Sequence, residues 1–276
     1  MPRVPVSMVD REKSYYKYFV RPMAAPPAGR LESITEESLD PKDALRIQDR
    51  HRLFEAGQLP GSFGWWKLED GTAVIANQTF MPNVTGEMFD WWFAWHPIDR
   101  LRYAIWDPND HFDVYLEDKA KALDLSKSMQ ERHWDSLHHI WEDIGTGNVD
   151  LLRIHFHRPR DFGYDESEIG TAACNALVCS NVIVVGNADM PDVPVVMTHF
   201  LRSVDGGSEL RSYFWFGWQM VDGEPVKAIP DDVEIPAMGP KSLLNHNVIE
   251  FTNLAAILPE VYAEEKDNWA LLKNRT

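Results

Sequence analysis

The chain has few cysteines, no long hydrophobic run and a deficit of basic residues. Its 276 residues include only Cys174 and Cys179, which excludes a framework of disulfides and favours the reducing cytoplasm. No stretch approaches the roughly 18 apolar residues of a membrane span, and the N-terminus lacks the apolar run of a secretory signal. Acidic residues outnumber basic ones by 43 to 27, so the formal charge of −16 repels phosphate backbones. The sequence therefore predicts a cytoplasmic protein with neither nucleic acid nor membrane as a partner.

The chain also lacks common catalytic motifs, and one stretch of it is unusually rich in aromatic residues. The chain contains no G-x-S-x-G, Walker A, G-x-G-x-x-G or H-E-x-x-H sequence. Residues 87–111, EMFDWWFAWHPIDRLRYAIWDPNDH, hold four of the eleven tryptophans and two of the ten histidines. Such a stretch is typical either of a dense core or of an aromatic-lined pocket with metal-capable groups at its rim.

The order of predicted elements indicates an α+β fold. In the first half, turn and cap residues predict three helical regions: 43–56, 87–95 with Thr85 as its cap, and 126–143, which holds one or two helices. They also predict a hairpin at 64–80 and a strand at 101–106. The second half has β-branched and aromatic runs that predict strands at 151–157, 176–186, 193–204 and 209–221. A helix of about 25 residues follows, from about 241 to 266. We expect a curved antiparallel sheet around this long C-terminal helix.

The final helix carries a histidine and a carboxylate on one face. His246 and Glu250 are four residues apart, so both side chains project from the same side of the helix and can bind one cation together. An exposed pair without any role is the alternative. Because the apolar residues Leu243 and Ile257 lie on the same stripe, we expect the pair to face an enclosed space. A buried carboxylate there needs a cation or several donors.

Other candidate site residues each have a structural alternative. His111 follows a predicted strand and a DPND turn, but a surface histidine also fits that position. Glu142 can be a solvated helix residue, and His199, on an apolar strand face, can be a satisfied core histidine. Tyr103 can be a core residue with a hydrogen-bonded hydroxyl. His138 and His139 remain open as competing ligands near Glu142.

The run MFDWWFAWHPIDRLRYAIWDPNDHFDV, together with the downstream HNVIEF, resembles the 2,4-diacetylphloroglucinol hydrolase family, which also contains phloretin hydrolases. The resemblance extends from about residue 60 to 265. It implies a zinc-dependent hydrolase that cleaves the carbon–carbon bond between a phloroglucinol ring and an acyl group. It also implies a Bet v 1-like (START-like) helix-grip domain, expected at 81–276, after an N-terminal arm and a small, mainly helical subdomain at 1–80. The family resemblance further suggests a homodimer.

Carried over by position, the resemblance assigns roles to eight residues. The Zn²⁺ ligands would be His111, Glu142, His246 and Glu250. The catalytic residues would be His199 and Tyr103, and the substrate contacts would be Tyr103, Tyr213 and Val114. Val114 stands where the family has a polar residue, which affects the acyl phenol that fits. Two alternatives stay open: a zinc hydrolase of another β-diketone or aryl ketone, and a non-catalytic START-like protein that binds a hydrophobic ligand.

Overall fold

A computed structural model describes residues 2–186 and 191–269. Within these ranges, eight strands form one antiparallel sheet: β1 Gly64–Lys67, β2 Ala73–Pro82, β3 His111–Leu116, β4 Ser136–Glu142, β5 Asp150–His157, β6 Ala176–Val184, β7 Val193–Val204 and β8 Gly207–Phe216. Their order across the sheet is β1-β2-β8-β7-β6-β5-β4-β3. A separate hairpin consists of β9 Trp218–Val221 and β10 Glu224–Lys227.

The helices are short except for the last. They are α1 Tyr16–Val20, α2 Gly86–Trp95, α3 Arg100–Ala104, α4 Lys119–Ala122, α5 Met129–His133 and α6 Met238–Glu265. Turns of 3-10 helix lie at Asp10–Glu12, Pro41–Asp43, Ile47–Phe54, His96–Ile98, Pro159–Phe162 and Glu166–Glu168. Among the described residues, no helix is both long and apolar enough to cross a membrane.

The sheet curves around α6. One cavity is lined by residues of α6 together with residues of β4, β5, β6, β7 and β8, so that the strands surround one side of the helix. Both the apolar stripe of α6, which includes Leu244 and Phe251, and the stripe of His246 and Glu250 are buried. The expected α+β helix-grip arrangement is confirmed.

Several local predictions are confirmed by hydrogen bonds. The hairpin at 64–80 is the antiparallel pair of β1 and β2. The Thr85 side chain accepts from the Met88 amide and caps α2 as expected. The strands of the second half and the long final helix also appear close to their predicted positions.

Two predictions are wrong. Residues 101–106 do not form a strand; they lie in and after α3, which begins because the Asp99 side chain accepts from the Leu101 amide. Residues 126–143 are only partly helical. A capping box between Ser128 and Glu131 starts α5, and the chain then enters strand β4.

Residues 41–59 pack against the outer face of the sheet. The helix expected at 43–56 appears as the 3-10 turns Pro41–Asp43 and Ile47–Phe54. Buried residues of this segment, such as Leu53, form an apolar cluster with Phe200 and Trp215 of the sheet. The division at residue 80 stays a prediction, and β1 and β2 belong to the same sheet as β3–β8. Residues 187–190 and 270–276 of the expected second domain lie outside the described residues.

Candidate active site

The four predicted metal ligands meet at one end of the cavity. His111 begins β3 and Glu142 ends β4, and the antiparallel register places these two residues directly opposite each other. His246 and Glu250 lie one turn apart on α6 and face the same point. All four side chains are buried.

The distances within this group suit a shared ion. His111 Nε2 lies 3.4 Å from His246 Nε2. The same atom lies 3.6 Å from Glu142 Oε2 and 3.6 Å from Glu250 Oε2. His246 Nε2 lies 4.0 Å from Glu250 Oε2. Ligands bound to zinc at about 2.1 Å in a tetrahedral arrangement are about 3.4 Å apart, so the separations of His111 Nε2 from the other three atoms stand close to the required value. Ligand atoms of His111, Glu142 and His246 also lie within 4.8 Å of one another.

Neighbouring groups fix how each ligand is presented. His111 Nδ1 donates to the Tyr103 carbonyl at 3.3 Å, because that oxygen can only accept, and Nε2 therefore keeps its lone pair. Asn247 Nδ2 donates to Glu250 Oε1 at 3.0 Å, which leaves Oε2 for the shared point. The Tyr103 hydroxyl donates to Glu142 Oε2.

A chain of hydrogen bonds extends from Glu250 to the N-terminal arm. Asn247 Oδ1 accepts from Asn77 Nδ2 of strand β2 at 3.0 Å. Asn77 Oδ1 in turn accepts from Arg30 Nη2 at 2.9 Å. Because Asn77 and Asn247 are both buried, this chain holds the Glu250 carboxylate in one orientation from outside the cavity.

Burial disfavours charge at every one of these ligands. It raises the pKa of Glu142 to about 7, and burial together with the nearby Glu142 raises the pKa of Glu250 well above its ordinary value. Burial lowers the pKa of His246 to about 4 and that of His111 well below its ordinary range. His246 Nδ1 also has no hydrogen-bond partner among the described residues. Two neutral imidazoles and two buried carboxylates form a donor set that a divalent cation stabilises.

A second group of possible ligands lies beside the first. Ligand atoms of Asp107, Asp110 and His246 are within 4.8 Å of one another. Asp110 already pairs with Arg3 at 3.0 Å, and Asp107 Oδ1 accepts from the backbone amides of Asn109 and Asp110. These existing partners make this group the poorer site for an ion.

A column of stacked rings begins in the cavity wall, where His111, Tyr103 and His96 lie. Tyr103 stacks on His111 with centroids 4.2 Å apart and planes 6° apart. His96 stacks on Tyr103 at 5.9 Å and 29°, and Trp92 stacks on His96 at 5.4 Å and 26°. The column fixes the ligand His111 and the hydroxyl of Tyr103 by packing as well as by hydrogen bonds.

His199 also reaches the cavity, from strand β7. Its Nδ1 lies 2.9 Å from the Ser212 hydroxyl of the neighbouring strand. The rings of Phe251 and Phe214 lie 4.8 and 5.6 Å from its imidazole. This burial lowers the pKa of His199 to about 3, so the ring is neutral near pH 7.

Tyr213 and Val114, predicted as substrate contacts, do not line the cavity. Successive side chains of a strand point to opposite faces, so Phe214 points into the cavity and Tyr213 points away from it. The Tyr213 hydroxyl donates to the Gly61 carbonyl at 3.1 Å on the outer face. Val114 lies half-buried on β3. The structure brings together the other six predicted residues.

Two further histidines line the cavity, one of which, His138, the sequence leaves open as a competing ligand. They are His96, which follows α2, and His138 on strand β4. His139 points the other way and lies 2.8 Å from Glu117. Alternation along β4 distinguishes the two, since Ser136, His138, Ile140 and Glu142 are buried and the residues between them are half-buried.

The chain is similar to proteins of one family. The sequence model of the DAPG hydrolase PhiG domain matches residues 45–263. A phloretin hydrolase from Eubacterium ramulus is 40% identical over 273 residues, which cover 97% of this chain and 97% of that protein. A 2,4-diacetylphloroglucinol hydrolase from a Pseudomonas species is 29% identical over 276 residues, covering 92% of this chain and 89% of that protein.

Among solved structures, the crystal structure of Ara h 8.0201 covers 67% of this chain and 99% of its own, at 12% identity and a TM-score of 0.37. That score is low, so the fold assignment rests on the strand order and helix packing given above.

Proposed function

Because this chain belongs to the DAPG hydrolase family, we propose that it hydrolyses the carbon–carbon bond between a polyhydroxylated aromatic ring and an acyl group. The membership confirms the expectation of a hydrolase. Its substrate would be an acylphloroglucinol such as 2,4-diacetylphloroglucinol or phloretin, the compounds that name the relatives. Water adds to the acyl carbon, the ring–acyl bond breaks, and the products are the free arene and a carboxylic acid.

The observation that carries this proposal is the meeting of two imidazoles and two carboxylates at one buried point. We propose that His111, Glu142, His246 and Glu250 hold Zn²⁺ there. When bound, zinc supplies Lewis acidity at this end of the cavity and makes water a better nucleophile near neutral pH. A pure carrier of hydrophobic ligands has no use for two carboxylates in an apolar cavity, because their burial is costly.

The ring carbon must leave with the bonding electron pair, which restricts the substrate. A simple aryl carbanion is a poor leaving group. Hydroxyls ortho and para to the acyl group let the ring take its keto tautomer, so that the departing species resembles an enolate. This requirement favours a di- or trihydroxylated ring over a monohydroxylated one.

His199 is suited to move the proton that the ring carbon needs. Because its pKa is lowered to about 3, the imidazole is neutral and must first accept a proton. We assign it the proton released by the attacking water, which it then returns to the ring carbon. Ser212 orients the imidazole through its contact with Nδ1.

Tyr103 is suited to hold the substrate beside the four ligands. Its hydroxyl proton is directed at Glu142, and its pKa is raised well above the usual value by burial and then by Glu142. The oxygen therefore stays protonated and uses its lone pairs to accept from a phenol of the substrate.

A panel of acyl phenols tests the proposal. Purified protein is given 2,4-diacetylphloroglucinol, phloretin, a β-diketone and 4-hydroxyacetophenone, and the loss of ultraviolet absorbance and the carboxylic acid formed are measured. We expect turnover of the first two and none of 4-hydroxyacetophenone. Comparable rates on 4-hydroxyacetophenone would refute the ring requirement. Turnover of the β-diketone alone identifies the other hydrolase class, and binding without any product identifies a carrier. The homodimer and the cytoplasmic location stay predictions.

A further inference from the structure

His96 presents one unprotonated nitrogen to the cavity. Its Nδ1 lies 2.8 Å from the Trp92 carbonyl, and because a carbonyl only accepts, the proton sits on Nδ1. Burial lowers the pKa of His96 to about 3, so the ring carries no second proton near pH 7. Nε2 is therefore an acceptor, and none of the hydrogen bonds found among the described residues involves it. The ring cannot easily turn away, because it is stacked between Trp92 and Tyr103.

His138 is held in the complementary tautomer. Its Nε2 lies 3.0 Å from the Ser136 hydroxyl. That hydroxyl donates its single proton to the His133 carbonyl, so it must accept from His138 Nε2. The proton of the neutral ring is thus on Nε2, and Nδ1 is left as an acceptor with no donor from the described part of the chain. Phe156, at 4.6 Å, holds the ring against the cavity wall.

The two imidazoles lie beyond the group of four ligands, along the same cavity. His96 is next to Tyr103 in the stacked column that starts at His111. Phe93 joins the remaining wall, with its ring 5.5 Å from His96 and 6.0 Å from His199. A substrate whose acyl carbon lies at the four ligands therefore extends its ring toward His96 and His138.

We propose that His96 Nε2 and His138 Nδ1 accept hydrogen bonds from hydroxyl groups of the aromatic ring and thereby select polyhydroxylated substrates. This inference rests on the proposed function, because it takes the acyl phenol as ligand. Two fixed neutral acceptors bind hydroxyl donors and leave phenolates and methyl ethers unrecognised, since neither of these groups carries a proton to donate. The selectivity is then a property of the binding site, separate from the chemical requirement for the keto tautomer.

Binding of the free ring tests this inference without any catalysis. The probes are phloroglucinol and 3,5-dimethoxyphenol, in which methyl groups replace two of the three hydroxyl hydrogens, so that one donor remains for two acceptors. The dissociation constants are measured by titration calorimetry on the zinc-loaded protein. The wild type is expected to bind phloroglucinol roughly three- to tenfold more tightly than its dimethyl ether. His96→Phe and His138→Leu are expected to weaken phloroglucinol binding by a similar factor and to reduce the difference between the probes. His139→Phe, on the outer face of the same strand, should change neither constant.

Each outcome separates this inference from the proposed function. Equal affinity of the wild type for both probes overturns the inference, and this comparison needs no variant to fold. Folded His96→Phe and His138→Leu proteins with wild-type affinity for phloroglucinol overturn it as well. If the wild type discriminates between the probes but the acyl phenols are not hydrolysed, hydroxyl recognition stands and the proposed function fails. If acyl phenols are hydrolysed while both probes bind equally, only the present inference fails.

Discussion

The Nε2 atoms of His111 and His246 lie 3.4 Å apart, although 135 positions separate the two residues in the chain. The pairing of β3 with β4 places His111 opposite Glu142, and α6 brings His246 and Glu250 to the same point. Four donor atoms from distant segments thus share one small volume. The proposed activity depends on this arrangement.

Asn247 is expected to position the Glu250 carboxylate for the ion. Asn247→Leu removes the donor to Glu250 Oε1 and keeps the approximate volume of the side chain. We expect the affinity for zinc to fall by about 10- to 100-fold, the usual effect of losing an outer-layer partner. Competition with a chromophoric chelator measures this affinity directly.

Asn253→Leu is the matched control on the same helix. Asn253 is buried and donates to the carbonyls of Ile105 and Trp106, so its loss lowers stability without touching a ligand side chain. Zinc affinity should stay at the wild-type level in this variant. An equal loss of affinity in both variants would show that general destabilisation, and not the orientation of Glu250, is responsible.

His199→Phe is expected to affect the chemical step and leave the ion in place. Removing the group that moves the proton should lower kcat by about 10²- to 10⁴-fold, while the zinc content remains unchanged. Rates are measured on 2,4-diacetylphloroglucinol with zinc determined on the same preparation. His155→Phe, an exposed strand histidine on β5, serves as the control and should keep wild-type kcat. A His199→Phe enzyme with wild-type kcat would remove His199 from the mechanism.

Asp90 should give the folded state a distinctive pH dependence. It is buried in α2, where burial raises its pKa to about 7, and its Oδ1 has no hydrogen-bond partner in the described ranges. The folded chain therefore keeps this proton up to about pH 7, while the unfolded chain releases it near pH 4. The contribution of Asp90 to the free energy of unfolding is fully present below pH 4 and is lost as the pH rises through 7.

Asp90→Asn remains neutral at every pH and isolates this effect. Its free energy of unfolding relative to the wild type should rise between about pH 4 and 7, by up to about 4 kcal/mol for a shift of about three pKa units. Urea titrations at a series of pH values measure the difference. The exposed Asp232→Asn should run parallel to the wild type. Parallel curves for Asp90→Asn would mean that Asp90 is not a buried acid of raised pKa.

Elements with regular patterns or strong caps could be predicted from the sequence. The Thr85 cap, the strands of the second half and the final helix follow local rules, and the pair of His246 and Glu250 follows from helical spacing. Residues 101–106 could not be assigned with the same rules. Leu101, Tyr103 and Ile105 alternate as in a strand, while Leu101, Ala104 and Ile105 also have helical spacing, so the pattern fits both structures.

Strand β4 was difficult to predict because it carries functional groups. Its inward positions include His138 and Glu142, so the usual alternation of apolar and polar residues is absent from the sequence. The roles of His96 and His138 depend on tautomers, which are fixed by contacts with Trp92 and Ser136 that the sequence does not reveal. The family resemblance alone assigns Tyr213 to the cavity, and a shift of one position along a strand moves a side chain to the opposite face, where Tyr213 lies.

The zinc content of the purified protein shows whether the four side chains hold an ion. Inductively coupled plasma mass spectrometry of the wild type, His246→Ala and Glu250→Ala, each exchanged into metal-free buffer, gives the number of ions per chain. We predict one zinc ion per wild-type chain, with zinc and hydrolysis of 2,4-diacetylphloroglucinol lost together in both variants and on chelation. A wild-type protein that hydrolyses this substrate at full rate without any bound metal would show that these four side chains do not form a catalytic zinc site.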